Sequence, residues 1–83
     1  MFFVYAIYNN KVNKIYIGQT KNLSERLDIH NNKTFKKGYT SRFAGDWRLI
    51  YSEEVNDRKM ALIREKQLKS YQGRKFIKKY IPL

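Results

Sequence analysis

Five side chains have the types and spacings that a chemical centre would need. Tyr5 and Tyr16 are phenols eleven residues apart, Arg26 and His30 stand four apart, and Glu65 is an acid in a basic stretch. Between residues 58 and 83 there are nine Lys or Arg, and Glu65 is the single acid among them. It also falls on the apolar side of a helical pattern, with Ala61 four residues before it, Leu62 three before and Leu68 three after. A carboxylate set into an apolar stripe is costly unless it is paired or metal-bound. Two uses fit it: an ion pair with a neighbouring basic side chain, or a carboxylate beside a phosphate site. The second use needs a divalent cation to bridge the two anions, as magnesium does with one or two carboxylates plus substrate oxygens. The other four side chains have ordinary readings too. A strand tyrosine packs its ring and leaves its hydroxyl at the edge, Arg26 can be a solvated helix residue, and His30 can sit at a helix end near the C-terminal dipole.

The elements that must position these groups follow from local pattern. Phe2-Phe3-Val4-Tyr5-Ala6-Ile7-Tyr8 is apolar, aromatic or β-branched throughout and reads as a buried strand. Asn9-Asn10-Lys11 is turn material, and Lys14-Ile15-Tyr16-Ile17-Gly18 reads as the returning strand of an antiparallel hairpin. With an even-numbered loop, strand parity puts Val4, Ala6, Ile15 and Ile17 on one face and Tyr5, Tyr16 and Lys14 on the other. Both phenols then look the same way.

Asn22 with Glu25 three residues later forms a capping-box-like start to a helix that carries Leu23, Arg26, Leu27 and His30 and ends near Asn31-Asn32. Residues 33 to 46 read as a basic loop with Lys33, Lys36, Lys37 and Arg42, broken by Gly38 and Gly45. Trp47, Leu49 and Tyr51 alternate with Arg48, Ile50 and Ser52, a third strand by period two. Asn56-Asp57 can cap a second helix running to about Tyr71, with Gly73 as its stop. A short third helix over residues 74 to 80 is halted before Pro82.

Length and charge bound the class. A chain of 83 residues has room for one domain and buries only ~60% of its unfolded surface, so its core must be compact. A hydrophobic content of 42% suffices for that and separates the chain from disordered sequences. Eighteen Lys+Arg against seven Asp+Glu give a net charge of +11, a field that draws polyanions. Nucleic acid is favoured over an anionic membrane, because the basic residues also sit among strand-like segments rather than along one amphipathic helix. The absence of cysteine excludes disulfides and thiolate metal sites. One histidine cannot build a zinc site alone. No stretch approaches the ~20 apolar residues of a membrane span, and the opening strand is too short for a signal-peptide core. The expected location is the cytoplasm.

Taken together, these residues resemble the GIY-YIG nuclease superfamily. The likeness is to its small stand-alone bacterial members and to the N-terminal nuclease domain of the excinuclease of nucleotide-excision repair. Phe3-Val4-Tyr5-Ala6-Ile7 resembles the first signature triplet with its following residues, and Tyr16-Ile17-Gly18 matches the second triplet outright. Gln19-Thr20, Asn22-Leu23, Arg26-Leu27 and His30 resemble the family's continuation into its first helix. Tyr39-Thr40, residues 47 to 51 and Arg64-Glu65-Lys66-Gln67-Leu68-Lys69 resemble the downstream blocks of the small members. Two departures stand out. Phe3 and Val4 replace Gly and Ile, and no Asn follows Asn56, where many family enzymes use one after their metal-binding glutamate.

The resemblance implies an α+β domain over residues 1 to 83, a three-stranded antiparallel sheet flanked by helices in the order β-β-α-β-α-α. It implies hydrolysis of phosphodiester bonds, in DNA ahead of RNA, with one Mg2+ or Mn2+ ion. Tyr5 or Tyr16 would activate a water, Arg26 would stabilise phosphoryl charge, and Glu65 would hold the metal. His30 would assist proton transfer or contact phosphate. A phenol with a pKa near ~10 is a poor base, and arginine and metal charge are expected to lower it. Lys14, Lys33, Lys36, Lys37, Arg42, Arg64 and Lys69 are the candidate nucleic-acid contacts. The competing functions are a nucleic-acid-binding module that has lost turnover and a protein-interaction domain whose charge serves solubility.

Overall fold

In a computed structural model of the chain, the structure describes residues 1–32 and 44–82. The expectations placed on Lys33, Lys36, Lys37, Gly38, Tyr39, Thr40 and Arg42 lie outside the described residues. The elements run β1 (Phe2–Asn9), β2 (Lys14–Thr20), α1 (Leu23–Asn32), β3 (Arg48–Val55), α2 (Arg58–Lys69) and α3 (Tyr71–Lys78). The strands form one antiparallel sheet in the order β2-β1-β3. This is the α+β architecture that the sequence pattern and the resemblance implied.

The hairpin parity holds. Tyr5 pairs with Gly18, Ala6 with Ile17 and Ile7 with Tyr16, so Tyr5 and Tyr16 share a face. The opposite face carries Val4, Ala6 and Ile17, buried against Ala61 and Leu68 of α2 and Ile77 of α3. The Tyr5 face buries Ile7 and Trp47, with Tyr16, Leu23 and Leu27 packed against them. The sheet is thus a partition with α1 on the phenol side and α2 and α3 behind.

β3 departs from the expected alternation. Tyr51 lies opposite Ala6, but Leu49 lies opposite Ile7, so Ile50 is an extra residue on β3. The bulge turns Trp47 to the phenol side while Ile50 and Tyr51 both pack on the helix side. An inserted residue reverses the facing of everything beyond it, and local pattern does not reveal where that happens.

The helix ends are set by side chains. Asn22 accepts the Glu25 N–H on its Oδ1 at 3.0 Å, and Asp57 accepts the Met60 N–H at 2.8 Å, as expected of N-caps. The expected run of the second helix to Tyr71 and the stop at Gly73 are both corrected. α2 ends at Lys69, and Ser70 serves both helices: its Oγ donates to the Gln67 carbonyl at 2.6 Å and accepts the Gly73 N–H at 3.2 Å. The third helix therefore begins at Tyr71 rather than at Arg74. Gly73 lies inside α3, where a Cβ would come within 2.2 Å of the Gln67 carbonyl oxygen and 2.4 Å of the Leu68 Cα. Glycine is there because two helices pass backbone to backbone.

Candidate active site

The phenol side of the sheet gathers groups from three elements. Tyr5 is 3% exposed and His30 7% exposed, and the Tyr5 hydroxyl lies 2.9 Å from His30 Nε2. The Tyr16 ring lies 5.1 Å from the His30 ring and 6.4 Å from the Tyr5 ring, centre to centre, closing a triangle of three aromatics. α1 supplies the histidine because Arg26 and His30, four residues apart, project from the same side of the helix. The end of that helix is fastened to the sheet by Asn31. Its Nδ2 donates to the Trp47 carbonyl at 2.9 Å, and its Oδ1 accepts the Trp47 N–H at 2.6 Å.

β2 makes room for the phenol. A Cβ on Gly18 would lie 2.8 Å from the Tyr5 hydroxyl and 3.1 Å from a ring carbon of Tyr16. The hydrogen at that position lets the Tyr5 ring lie against its cross-strand partner.

The electrostatics of the triangle run against one expectation. Burial, above all, pushes the Tyr5 phenol well above its ordinary value. The neighbouring Tyr16 and Glu65 raise it further, and the Arg26 guanidinium opposes them without prevailing. Tyr5 is therefore a neutral hydroxyl rather than an activated phenolate. Burial and then the Arg26 charge hold His30 below its ordinary value, so its ring is neutral at neutral pH. With the ring proton on Nδ1, the Tyr5 hydroxyl donates to Nε2. Tyr16 is half-buried and nearer to solvent.

Glu65 comes from α2, behind the sheet, and its charge is the weakest of the influences on the Tyr5 phenol. Its Oε2 accepts a bond from the Lys69 ammonium at 2.8 Å, an i,i+4 pair on α2 with side-chain exposures of 21% for Glu65 and 47% for Lys69. The ion-pair use of Glu65 is thus realised. Such partly exposed pairs are worth only ~0.2–1 kcal/mol, which a divalent cation can outweigh. Among the described residues no group of three or more His, Cys, Asp or Glu could hold a metal ion.

The remaining candidates divide. Lys14 and Lys69 border a groove of about 630 Å3 beside Tyr16, together with Arg74 and Lys78. Arg64 does not join them. Its Nε donates to Glu53 of β3, and its Nη1 donates to the Gln67 side chain at 3.2 Å. Arg64 and Glu65, adjacent on α2, thus serve different ends, the one tying α2 to β3 and the other pairing with Lys69. A second groove, about 490 Å3, runs past Arg26 and adds Lys21 and Arg58. Arg58, Arg74 and Lys78 were not singled out from the sequence. The concentration of basic residues after position 57 was the available signal, but it could not say which of nine faced a groove.

This fold, with two tyrosines and a histidine gathered on one face of its sheet, agrees with the comparison to known families. The chain matches the GIY-YIG catalytic domain over residues 1–80 and belongs to that family. It is therefore a nuclease catalytic domain, one that acts on nucleic acid. The match carries the family and not the finer likeness to the repair excinuclease. No curated protein matches the chain, and no solved structure does. No helix among the described residues is long and apolar enough to cross a membrane.

Proposed function

We propose that this domain is a divalent-metal-dependent endonuclease that hydrolyses phosphodiester bonds in DNA with little sequence specificity. The observation that supports it most is the cluster of Tyr5, Tyr16 and His30 on one face of the sheet, with the Tyr5 hydroxyl 2.9 Å from His30 Nε2. Glu65 offers the hard oxygen donor that Mg2+ or Mn2+ takes, and with one carboxylate the other ligands would be substrate oxygens and water. When bound, one such ion neutralises phosphoryl charge and eases departure of the leaving oxygen.

The chain's own residues have distinct tasks. Tyr16, nearer to solvent, orients the attacking water by hydrogen bonding. Tyr5 donates to His30 and presents its oxygen lone pairs to a proton leaving that water, and His30 Nε2 takes the Tyr5 proton in turn. Arg26 remains protonated and offers a planar fork of donors to the phosphoryl oxygens. Low specificity is in keeping with the small size of the domain, since phosphate contacts position a strand without reading its bases. The lack of cysteine fits a reducing compartment, and the cytoplasm is the proposed location.

One observation favours a second reading, a nucleic-acid-binding module with little turnover. The Lys69 ammonium already holds the Glu65 carboxylate, so a metal must compete for it. The two readings separate in one assay. Purified protein incubated with supercoiled plasmid should nick it with Mg2+ or Mn2+ and not with EDTA. Retention of the plasmid in a gel without nicking under either condition would favour the binding module.

A further inference from the structure

We infer that the groove on the outer side of β2 receives an unpaired nucleic-acid strand, so that the substrate of this site is single-stranded or frayed rather than intact duplex. The inference rests on the reading of the chain as a nuclease and names the form of nucleic acid that this nuclease takes.

The groove has a composition that a duplex does not use. Its exposed residues are Asn13 and the cations Lys14, Lys69, Arg74 and Lys78. Its half-buried lining residues are Ile15, Tyr16 and Ile81, two aliphatic side chains and an aromatic ring, with Ile15 and Tyr16 on opposite faces of β2 where the groove wraps the sheet edge. The Arg74 Nε donates to the Lys69 carbonyl at 3.0 Å, which holds the guanidinium at the junction of α2 and α3. β2 is the outer strand of the sheet, so this groove is bounded on one side by a sheet edge.

A duplex presents phosphates and sugars outward and keeps its base faces stacked inside. It would meet the four cations and gain nothing from the apolar floor. An unpaired strand offers both partners at once, phosphates to the cations and base faces to the ring and aliphatic side chains, the combination that sequence-tolerant single-strand binders use. Tyr16 belongs both to this floor and to the aromatic triangle with His30. A strand lying in the groove therefore runs into the reaction centre without having to be flipped out of a helix.

The test is fluorescence anisotropy on the full chain in EDTA, so that binding is read without cleavage. The probes are a labelled oligodeoxythymidylate of about twelve nucleotides and a blunt duplex of the same length. The expected result is binding to the single strand about tenfold tighter than to the duplex. The double variant R74Q/K78Q should weaken single-strand binding and reduce its log–log salt slope by about 1.4, ~0.7 for each lost phosphate contact. A charge-matched control, K59Q/K75Q, should leave that slope nearly unchanged, with circular dichroism confirming that both variants are folded. Duplex binding equal to or tighter than single-strand binding would overturn the inference and leave the nuclease reading standing. Equal effects of the two double variants would also overturn it, because the charge would then act without the groove. Failure to bind either probe at low salt would overturn both readings.

Discussion

At the scale of single residues, the site turns on a hydroxyl and an imidazole that are both buried and both neutral. The Tyr5–His30 bond at 2.9 Å satisfies each of them. Tyr5→Phe leaves the His30 nitrogen without that partner and should cost about 1–3 kcal/mol in urea unfolding, along with a fall in cleavage. The pair also sets a pH dependence. Because the folded chain holds His30 below its unfolded value of ~6.5, the unfolded chain binds more protons as the solution is acidified. Stability is therefore whole above ~6.5 and falls as pH drops from there toward the folded value. Midpoints of urea unfolding from pH 8 down to pH 5 should decline more in wild type than in His30→Gln. The pairing of Arg26 with His30 was legible from their spacing on one helix. The bond from Tyr5 to His30 was not, since it spans 25 residues and depends on how α1 crosses the sheet. The direction of the Tyr5 shift was missed for the same reason, because burial is a property of the packed molecule.

At the scale of elements, the precision of the site depends on close approaches that glycine permits. Gly18→Ala would press a methyl group onto the Tyr5 hydroxyl and turn the ring. Cleavage should fall by an order of magnitude or more for a displacement of this kind, with a stability loss of about 1–3 kcal/mol where the Tyr5–His30 bond is given up. Gly73→Ala should act on stability alone, away from the phenols. Its Cβ meets backbone atoms of α2 that cannot step aside, so a loss of about 1–3 kcal/mol in stability is expected from overpacking. The hairpin, the first helix and the Asp57 cap were all readable from sequence because parity and capping are local. The β3 bulge and the dual role of Ser70 were not. Each arises where one element must fit another, and a period-two or period-3.6 pattern carries no record of that fit.

At the scale of the whole molecule, the sheet keeps two layers apart, the phenols with α1 on one side and α2 with Glu65 on the other. α2 is tied to β3 through Arg64 and Glu53, while Glu65 on the same helix pairs with Lys69. The net charge of +11 supplies attraction to any polyanion, but the grooves decide where a strand lies. Three to four phosphate contacts from the β2 groove should give a roughly 20- to 50-fold loss of single-strand affinity between about 50 and 200 mM salt. The overall excess of charge was plain in the sequence. Its division between the partnered Arg64 and the groove-lining Arg74 and Lys78 was not, because both kinds occur within one basic stretch.

The most direct test is a side-by-side cleavage time course of wild type and Glu65→Ala with Mn2+ at matched protein concentration, both shown folded by circular dichroism. Wild type should cut, and the variant should fall to the level seen with EDTA. Equal rates in the two proteins would mean that the carboxylate plays no part in the chemistry.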